Sequence, residues 1–149
     1  MGLHSAAVER GGGKVFNRVH VLRVKPKQEL AGEIARYCAQ QGITSGVVVA
    51  IIGSVENAKL NYLMELPGKY QTVEYDGPLE IVCAQGSVAL KNGETILHVH
   101  IQLAARDGCH GGHLVEATVF STAEVVVAEL EQQLLRYADS YTGLNELKQ

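Results

Sequence analysis

The stretch ETILHVHIQL, residues 94–103, contains two histidines, His98 and His100, separated by one residue, and apolar and polar side chains alternate from Leu97 to Leu103. This alternation predicts a β-strand. Because side chains on a strand point alternately to its two faces, both imidazoles lie on the same face. Asn92-Gly93 directly precedes the stretch, and this dipeptide favours a type I′ hairpin turn, in which both central residues need positive φ. We therefore expect an antiparallel pair formed by SVALK (87–91) and ETILHVHIQL.

A third histidine, His113, follows the turn-like sequence RDGCHGG, residues 106–112. If the flanking strands form a hairpin that turns near Arg106 and Asp107, His113 lies opposite His100. Three imidazole nitrogens at about 2.0–2.1 Å from one ion suit Zn²⁺, and the lack of a fourth protein ligand leaves a position for water or substrate. The alternative is that the three histidines make ordinary hydrogen bonds within the sheet.

Other polar residues near this stretch are further candidates. Cys109 and His110 lie in the predicted turn, and we interpret them as solvated loop residues rather than ligands. A carboxylate could orient an imidazole or act as a base, and the acidic candidates for this role are Glu80, Asp107, Glu116 and Glu124. The alternative is that they are surface charges, which we favour for Asp107 and Glu116. Glu80 is the most informative, because LEIVCAQ (79–85) is otherwise apolar and an ionised carboxylate there must face water or find a partner.

Beyond this hairpin, short runs rich in β-branched residues predict more strands. These runs end at turn residues such as Gly53-Ser54, Asp76-Gly77-Pro78 and Gly86. The predicted strands are VFNRVHVLRV (15–24), SGVVVAIIGSV (45–55), AKLNYLM (58–64), YQTVEY (70–75), LEIVCAQ (79–85), HLVEATVF (113–120) and AEVVVAEL (123–130).

One helix and a polar tail complete the predicted elements. Within residues 27–41, Leu30, Ile34 and Tyr37 follow each other at spacings of four and three, and Gly42 is a natural helix stop. We predict that the tail, residues 131–149, contains a short helix followed by coil.

Length and composition limit the class of protein. The 149 residues, 46% of them hydrophobic, fit one domain over 15–149, preceded by a flexible glycine-rich arm at 1–14. No apolar run is long enough to span a membrane, so we expect a soluble cytoplasmic protein without membrane contacts. The net charge of −3 disfavours general attraction to nucleic acid. Arg18, Arg23 and Lys25, on or beside the first strand, are either phosphate contacts or a solvated face.

Several motifs together resemble the plants-and-prokaryotes-conserved (PPC) domain. They are AIIGSV (50–55), GPLEIV (77–82), HVH (98–100), DGCHGGHL (107–114), AEVVV (123–127) and R..D..TG (136–143). The resemblance implies an α/β (α+β) fold with a mainly antiparallel twisted sheet, one principal helix and assembly as a homotrimer. It also implies a metal on His98, His100 and His113.

The resemblance bears on partners as well. In plants these domains follow AT-hook segments that enter the DNA minor groove, and this chain has no Arg-Gly-Arg-Pro sequence. The plant stretch that matches residues 77–82 contacts other transcription factors, which implies a ligand or partner role for Glu80, and we expect Gly111 and Gly112 to share it. Two positions depart from the family pattern: PKQEL (26–30) replaces a Pro-Gly acidic turn, and Ala117 stands where glycine is common.

Three functional hypotheses follow. The first is a homotrimeric zinc-binding module with a regulatory or binding role, in which the metal stabilises the fold or captures a small anionic molecule. The second is a zinc-dependent enzyme that uses metal-bound water, with Glu80 or Glu116 as base. The third is association with DNA through the basic first strand, which would weaken steeply as salt rises.

Overall fold

The computed structural model describes residues 16–148, so the predicted N-terminal arm lies outside the described residues. In chain order the elements are β1 (Phe16–Val24), α1 (Leu30–Gln41), β2 (Gly46–Glu65), β3 (Lys69–Lys91), β4 (Glu94–Ala105), β5 (Gly108–Leu130), β6 (Arg136–Ala138) and β7 (Asn145–Leu147). The predicted class, a mainly antiparallel sheet with one helix, is confirmed. Within the described residues, no helix is long and apolar enough to span a membrane.

Five strands form one antiparallel sheet in the order β1-β5-β2-β3-β4, and the start of β5 also pairs with β4. Strands β2 to β5 therefore close into a ring, and β1 extends the sheet beside the second half of β5. Alternate side chains point into the ring, as Val99, Ile101 and Leu103 of β4 do, and are buried. The intervening residues of β4, which include both of its histidines, face outward.

Helix α1 packs on β5 and β4 through Leu30, Ile34 and Cys38, which are fully buried. Its predicted position is confirmed, and it ends at Gly42, whose φ of 69° is the left-handed conformation typical of a helix C-terminus. Of the three residues whose spacing predicts the helix, Leu30 and Ile34 are buried, whereas Tyr37 is only partly buried and packs against the core.

Glu29, the residue before the helix, caps the first turn with its carboxylate. Its Oε1 accepts hydrogen bonds from the backbone N–H of Ala31 at 3.0 Å and of Ala117 at 3.1 Å. Glu29 belongs to PKQEL (26–30), and Ala117 is the other position that departs from the family pattern. The two departures are therefore joined by a hydrogen bond. The carboxylate at one position satisfies a partly buried N–H at the other.

The predicted strand ends at Gly53-Ser54, Asp76-Gly77-Pro78 and Gly86 are wrong, because β2 and β3 continue through them. The glycines are required there by close approach of neighbouring strands. A Cβ on Gly86 would lie 2.0 Å from the carbonyl oxygen of His98, and one on Gly53 would lie 2.0 Å from that of Thr122. Glycine inside a strand thus marks backbone contact here, which the sequence alone does not distinguish from a turn.

The predicted helix in the tail is also wrong, because residues 136–147 form a small β6–β7 hairpin. Its loop is built on Asp139, whose Oδ1 accepts from the backbone N–H of Tyr141 at 3.1 Å and of Thr142 at 2.7 Å. Such a side-chain-to-backbone turn competes with helix formation. The segment before the hairpin is tied to the end of β3, where Leu90 N–H donates to the carbonyl of Leu134 at 2.9 Å.

Candidate metal centre

His98, His100 and His113 come together on the outer face of the β4–β5 hairpin. This hairpin turns at Arg106 and Asp107, and His100 pairs directly with His113, as predicted. One ring nitrogen from each histidine lies within 4.8 Å of the other two. The ring centroids are 4.9 Å apart for His98 and His113, 5.2 Å for His98 and His100, and 5.5 Å for His100 and His113.

The protonation of these rings suits metal binding. Burial, together with the charges of His113, Arg136 and His100, lowers the pKa of His98 to about 4. The pKa of His113 is lowered as well, again mainly by burial. At neutral pH both rings are therefore uncharged and have a lone pair to offer. Imidazole nitrogens are ligands that suit Zn²⁺ and related divalent ions.

The histidines line an open cavity of about 450 Å³. Its walls combine two kinds of side chain. Polar groups surround the histidines, while aliphatic and aromatic side chains cover much of the remainder. The other lining residues are Asn61, Leu63, Tyr70, Ile96, Leu97, Arg136, Gly143, Leu144, Asn145 and Glu146. A small molecule that enters the cavity can therefore reach the three histidines.

Arg136, the first residue of β6, is a cavity residue that the sequence reasoning missed. Its Nη2 donates to Ser87 Oγ at 2.8 Å and lies 3.3 Å from His98 Nδ1, and its Nη1 donates to the Asn145 carbonyl at 2.6 Å. Its Nε is buried without a hydrogen-bond partner in the described part of the chain. Desolvation lowers the pKa of Arg136, although the nearby charge of Glu146 opposes this effect.

Glu146, on β7, is the acidic residue that lines the cavity. It was not among the four acidic candidates from the sequence, because the tail was expected to be helix and coil. A signal was nevertheless available. The R..D..TG pattern begins at Arg136 and contains the Asp139 turn that folds β7 back beside β6.

The four acidic candidates do not line this cavity. Glu80 is exposed and pairs with Ser54 and Ala104, away from the histidines. Glu116 forms an ion pair with Lys59 at 2.9 Å. Glu124 pairs across strands with Arg23, and Asp107 lies in the exposed β4–β5 turn. The structure thus does not bring these carboxylates to the three histidines, and a partner role for Glu80 stays a prediction.

Residues 109–112 belong to strand β5 and not to a turn, which corrects the interpretation of Cys109 and His110 as loop residues. Cys109 is a free, exposed thiol. His110 stacks on Tyr75 with ring centroids 4.2 Å apart, and it does not belong to the histidine group. Gly111 and Gly112 lead directly into His113, and their expected contact with a ligand or partner stays a prediction.

The basic residues near β1 do not share one face. Arg18 pairs across strands with Glu129 and Arg23 with Glu124. Because the two arginines are five positions apart, which is an odd number, they point to opposite sides of the strand. Lys25 follows the strand, and its backbone N–H donates to Gln28. Phosphate contacts by these residues stay a prediction.

Comparison with known proteins identifies the family of this chain. Residues 12–131 match the model of the Plants and Prokaryotes Conserved domain. The chain belongs to this family. A crystal structure described as a metal-containing protein of Archaeoglobus fulgidus is 30% identical, with a TM-score of 0.83 over 92% of this chain and 100% of that one. A plant- and prokaryote-conserved protein of Pyrococcus horikoshii is 31% identical, with a TM-score of 0.84 over 93% and 96% of the two chains.

A curated relative extends the comparison to a larger protein. The Bifunctional protein GlmU of a Synechococcus strain is 35% identical over 133 residues, which is 87% of this chain. The chain spans about a fifth of the length of that relative, since the match covers 20% of it. The PPC domain thus resembles both a small metal-containing protein and one segment of a much longer chain.

Proposed function

We propose that this PPC-domain protein binds one zinc ion per chain on His98, His100 and His113, and acts as a homotrimeric binding or regulatory module. The observation that carries the proposal is the convergence of three imidazole nitrogens to within 4.8 Å on one β-hairpin. The description of the 30% identical Archaeoglobus protein as metal-containing supports it. Bound zinc would supply a Lewis-acidic centre with a position open to the cavity.

The chain's own contribution is to hold the rings in place. Because Val99 and Ile101 are buried beside them, the backbone of β4 cannot rotate to turn the histidines away. Pairing with β5 fixes the third ring opposite His100. The rings need little reorganisation to accept an ion, which favours affinity because less conformational freedom is lost on binding.

An exposed apolar face supports the proposed self-association. Val19 and Val21 of β1 are 63% and 71% exposed, and Ile52 of β2 is 55% exposed. The register places Val21 beside Val126 on β5, and Val126 beside Ala50 on β2, so the three strands present one continuous surface. Contiguous apolar patches of this kind mark protein interfaces, and identical chains most often assemble with closed symmetry.

Native mass spectrometry of protein purified without chelator tests both parts of the proposal. We expect a mass of three chains with three zinc ions. The Val21→Glu variant should dissociate into single chains, whereas Lys91→Glu, a change outside this face, should leave the trimer intact. A metal-free wild-type protein would contradict the zinc site, and a wild-type monomer would contradict the assembly.

A zinc-dependent enzyme is the second candidate, and Glu146 is the specific observation that favours it. This carboxylate lines the same cavity as the histidines, where it can accept a proton from a bound substrate or water. It replaces Glu80 and Glu116 in that hypothesis. Hydrolysis of 4-nitrophenyl acetate by zinc-loaded protein provides a test, in which Glu146→Gln should lower the rate and Glu116→Gln should not. Equal rates in wild type and in His98→Ala would reject catalysis.

A further inference from the structure

The cavity beside the three histidines contains an unpaired cation. Within the described residues, the guanidinium of Arg136 makes no salt bridge, and its hydrogen bonds go to a hydroxyl, a carbonyl and a ring nitrogen. Burial of a charge without a partner of opposite sign is costly, and the Nε of Arg136 is itself buried without a hydrogen-bond partner in the described part of the chain. Glu146, on the paired strand β7, offsets part of this charge.

A metal on the histidines would increase the imbalance. A divalent ion, Arg136 and Glu146 together have a formal net charge of about +2 within one partly enclosed space. Neutral imidazoles contribute no negative charge to compensate. An anion that enters the cavity therefore finds attraction from two cationic groups in a medium less polar than water.

Metal binding also frees a donor on Arg136. A guanidinium only donates hydrogen bonds, so its contact with His98 requires an unprotonated Nδ1 lone pair. If the metal takes Nδ1, that lone pair is used. If the metal takes Nε2, the neutral ring has its proton on Nδ1. In both cases Nη2 loses this acceptor and can donate to a ligand instead.

The remainder of the cavity selects a particular type of anion. Leu63, Ile96, Leu97 and Leu144 line it together with the ring of Tyr70. These apolar side chains favour a hydrocarbon group, whereas the histidines and Arg136 form the polar part. A planar carboxylate matches the paired donors of a guanidinium better than a point-like halide does.

We propose that the cavity binds a small carboxylic acid, with its carboxylate between the metal and Arg136 and its hydrocarbon group against the leucines and Tyr70. The proposal rests on the proposed metal function. The β6–β7 hairpin is in this view part of the binding site, because it supplies Arg136 and one wall of the cavity.

Titration of the cobalt-loaded full chain with benzoate tests this inference, since the visible spectrum of Co²⁺ reports a new ligand at its open position. We expect benzoate to change the spectrum with saturation, acetate to bind more weakly because it lacks the apolar group, and neutral benzamide to have no effect. In Arg136→Gln the benzoate affinity should fall about tenfold or more, whereas Arg106→Gln, which removes an exposed arginine from the β4–β5 turn, should match wild type.

The outcomes separate the two proposals. If wild-type protein takes up no Co²⁺, the metal function and the carboxylate site both fail. If it binds one Co²⁺ per chain but benzoate leaves the spectrum unchanged, or if benzamide binds equally well, only the carboxylate site is contradicted. Equal benzoate affinity in wild type and Arg136→Gln would also overturn it. If Arg136→Gln misfolds and loses the metal, the comparison of benzoate with benzamide in wild-type protein still tests whether the cavity prefers a carboxylate.

Discussion

The guanidinium of Arg136 lies 3.3 Å from Nδ1 of His98, although 38 residues separate them in the chain. This contact joins the C-terminal hairpin to the histidine group and helps lower the pKa of His98. The candidate metal centre therefore comprises more than the β4–β5 hairpin. Its cavity is completed by residues from the last strands of the described chain.

The free energy of unfolding of the metal-free protein should fall as pH drops from about 6.5 to 4. The pKa of His98 is about 4 in the folded protein and has its ordinary value of 6.5 in the unfolded chain. In this pH window His98 is therefore protonated in the unfolded chain but neutral in the folded protein, which favours unfolding. His113 acts in the same direction. With allowance for the partial exposure of the ring, the His98 contribution is about 1–2 kcal/mol.

Urea unfolding of chelator-treated protein at about pH 7 and about pH 5 measures this effect. His98→Gln should reduce the difference between the two pH values, whereas His110→Gln should retain it. Equal stability of the wild-type protein at both pH values would show that the pKa of His98 is not lowered in the folded state. An undiminished difference in the His98→Gln variant would show the same.

Replacement of Glu29 by alanine should destabilise the fold by about 2 kcal/mol, because it removes a helix cap and leaves the Ala117 N–H without its acceptor. The matched control is Glu33→Ala in the same helical turn. Among the described residues the Glu33 side chain pairs only with Arg36, which is 57% exposed, so its loss should cost less than about 0.5 kcal/mol. Chemical denaturation of both variants, in the same metal state, checks the difference. Equal losses would argue against the dual role of Glu29.

Gly86→Ala should destabilise the protein by more than about 2 kcal/mol, since the new Cβ would lie 2.0 Å from the His98 carbonyl oxygen and force β3 and β4 apart. Gly111→Ala is the control, because its Cβ would have its nearest contact at 3.4 Å, an ordinary packing distance. Thermal unfolding compares the two. A Gly86→Ala variant as stable as Gly111→Ala would contradict the close strand approach.

Phosphate contacts by Arg18, Arg23 and Lys25 predict DNA association with a defined salt dependence. Because Arg18 and Arg23 point to opposite sides of β1, at most two of these contacts per chain can reach one duplex, which corresponds to a slope of about −1.8 in a plot of log affinity against log salt concentration. Fluorescence anisotropy with a labelled duplex measures it. The triple Gln variant should lose the binding, whereas Lys69→Gln at the β2–β3 turn should not. Binding that is insensitive to salt, or absent at low salt, would reject this prediction.

The parts of the fold that depend on local pattern could be predicted from the sequence. Helix α1 follows from the spacing of Leu30 and Ile34, and the pairing of His100 with His113 follows from strand alternation and a short turn. The length of β2 and β3 could not be predicted, because Gly53 and Gly86 resemble turn residues unless the partner strand is known. Each of these glycines leaves room for the backbone of a neighbouring strand, Thr122 beside Gly53 and His98 beside Gly86.

The candidate site also has a part that could be predicted from the sequence and a part that could not. All three histidines lie on one hairpin, so their convergence follows from local geometry. Arg136 and Glu146 reach the cavity only because the β6–β7 hairpin is held against β3 by contacts such as that between Arg136 and Ser87. Such long-range packing leaves no periodic pattern, although the Asp139 turn within R..D..TG is a signal for the hairpin itself.

Metal content of the full chain, purified without chelator and measured by elemental analysis, tests the metal centre most directly. The account predicts close to one zinc per chain in wild type and in His110→Ala, whose ring stacks on Tyr75 outside the histidine group. It predicts almost none in the double variant His98→Ala with His113→Ala. Full zinc content in that folded double variant would contradict the assignment of the metal to these histidines.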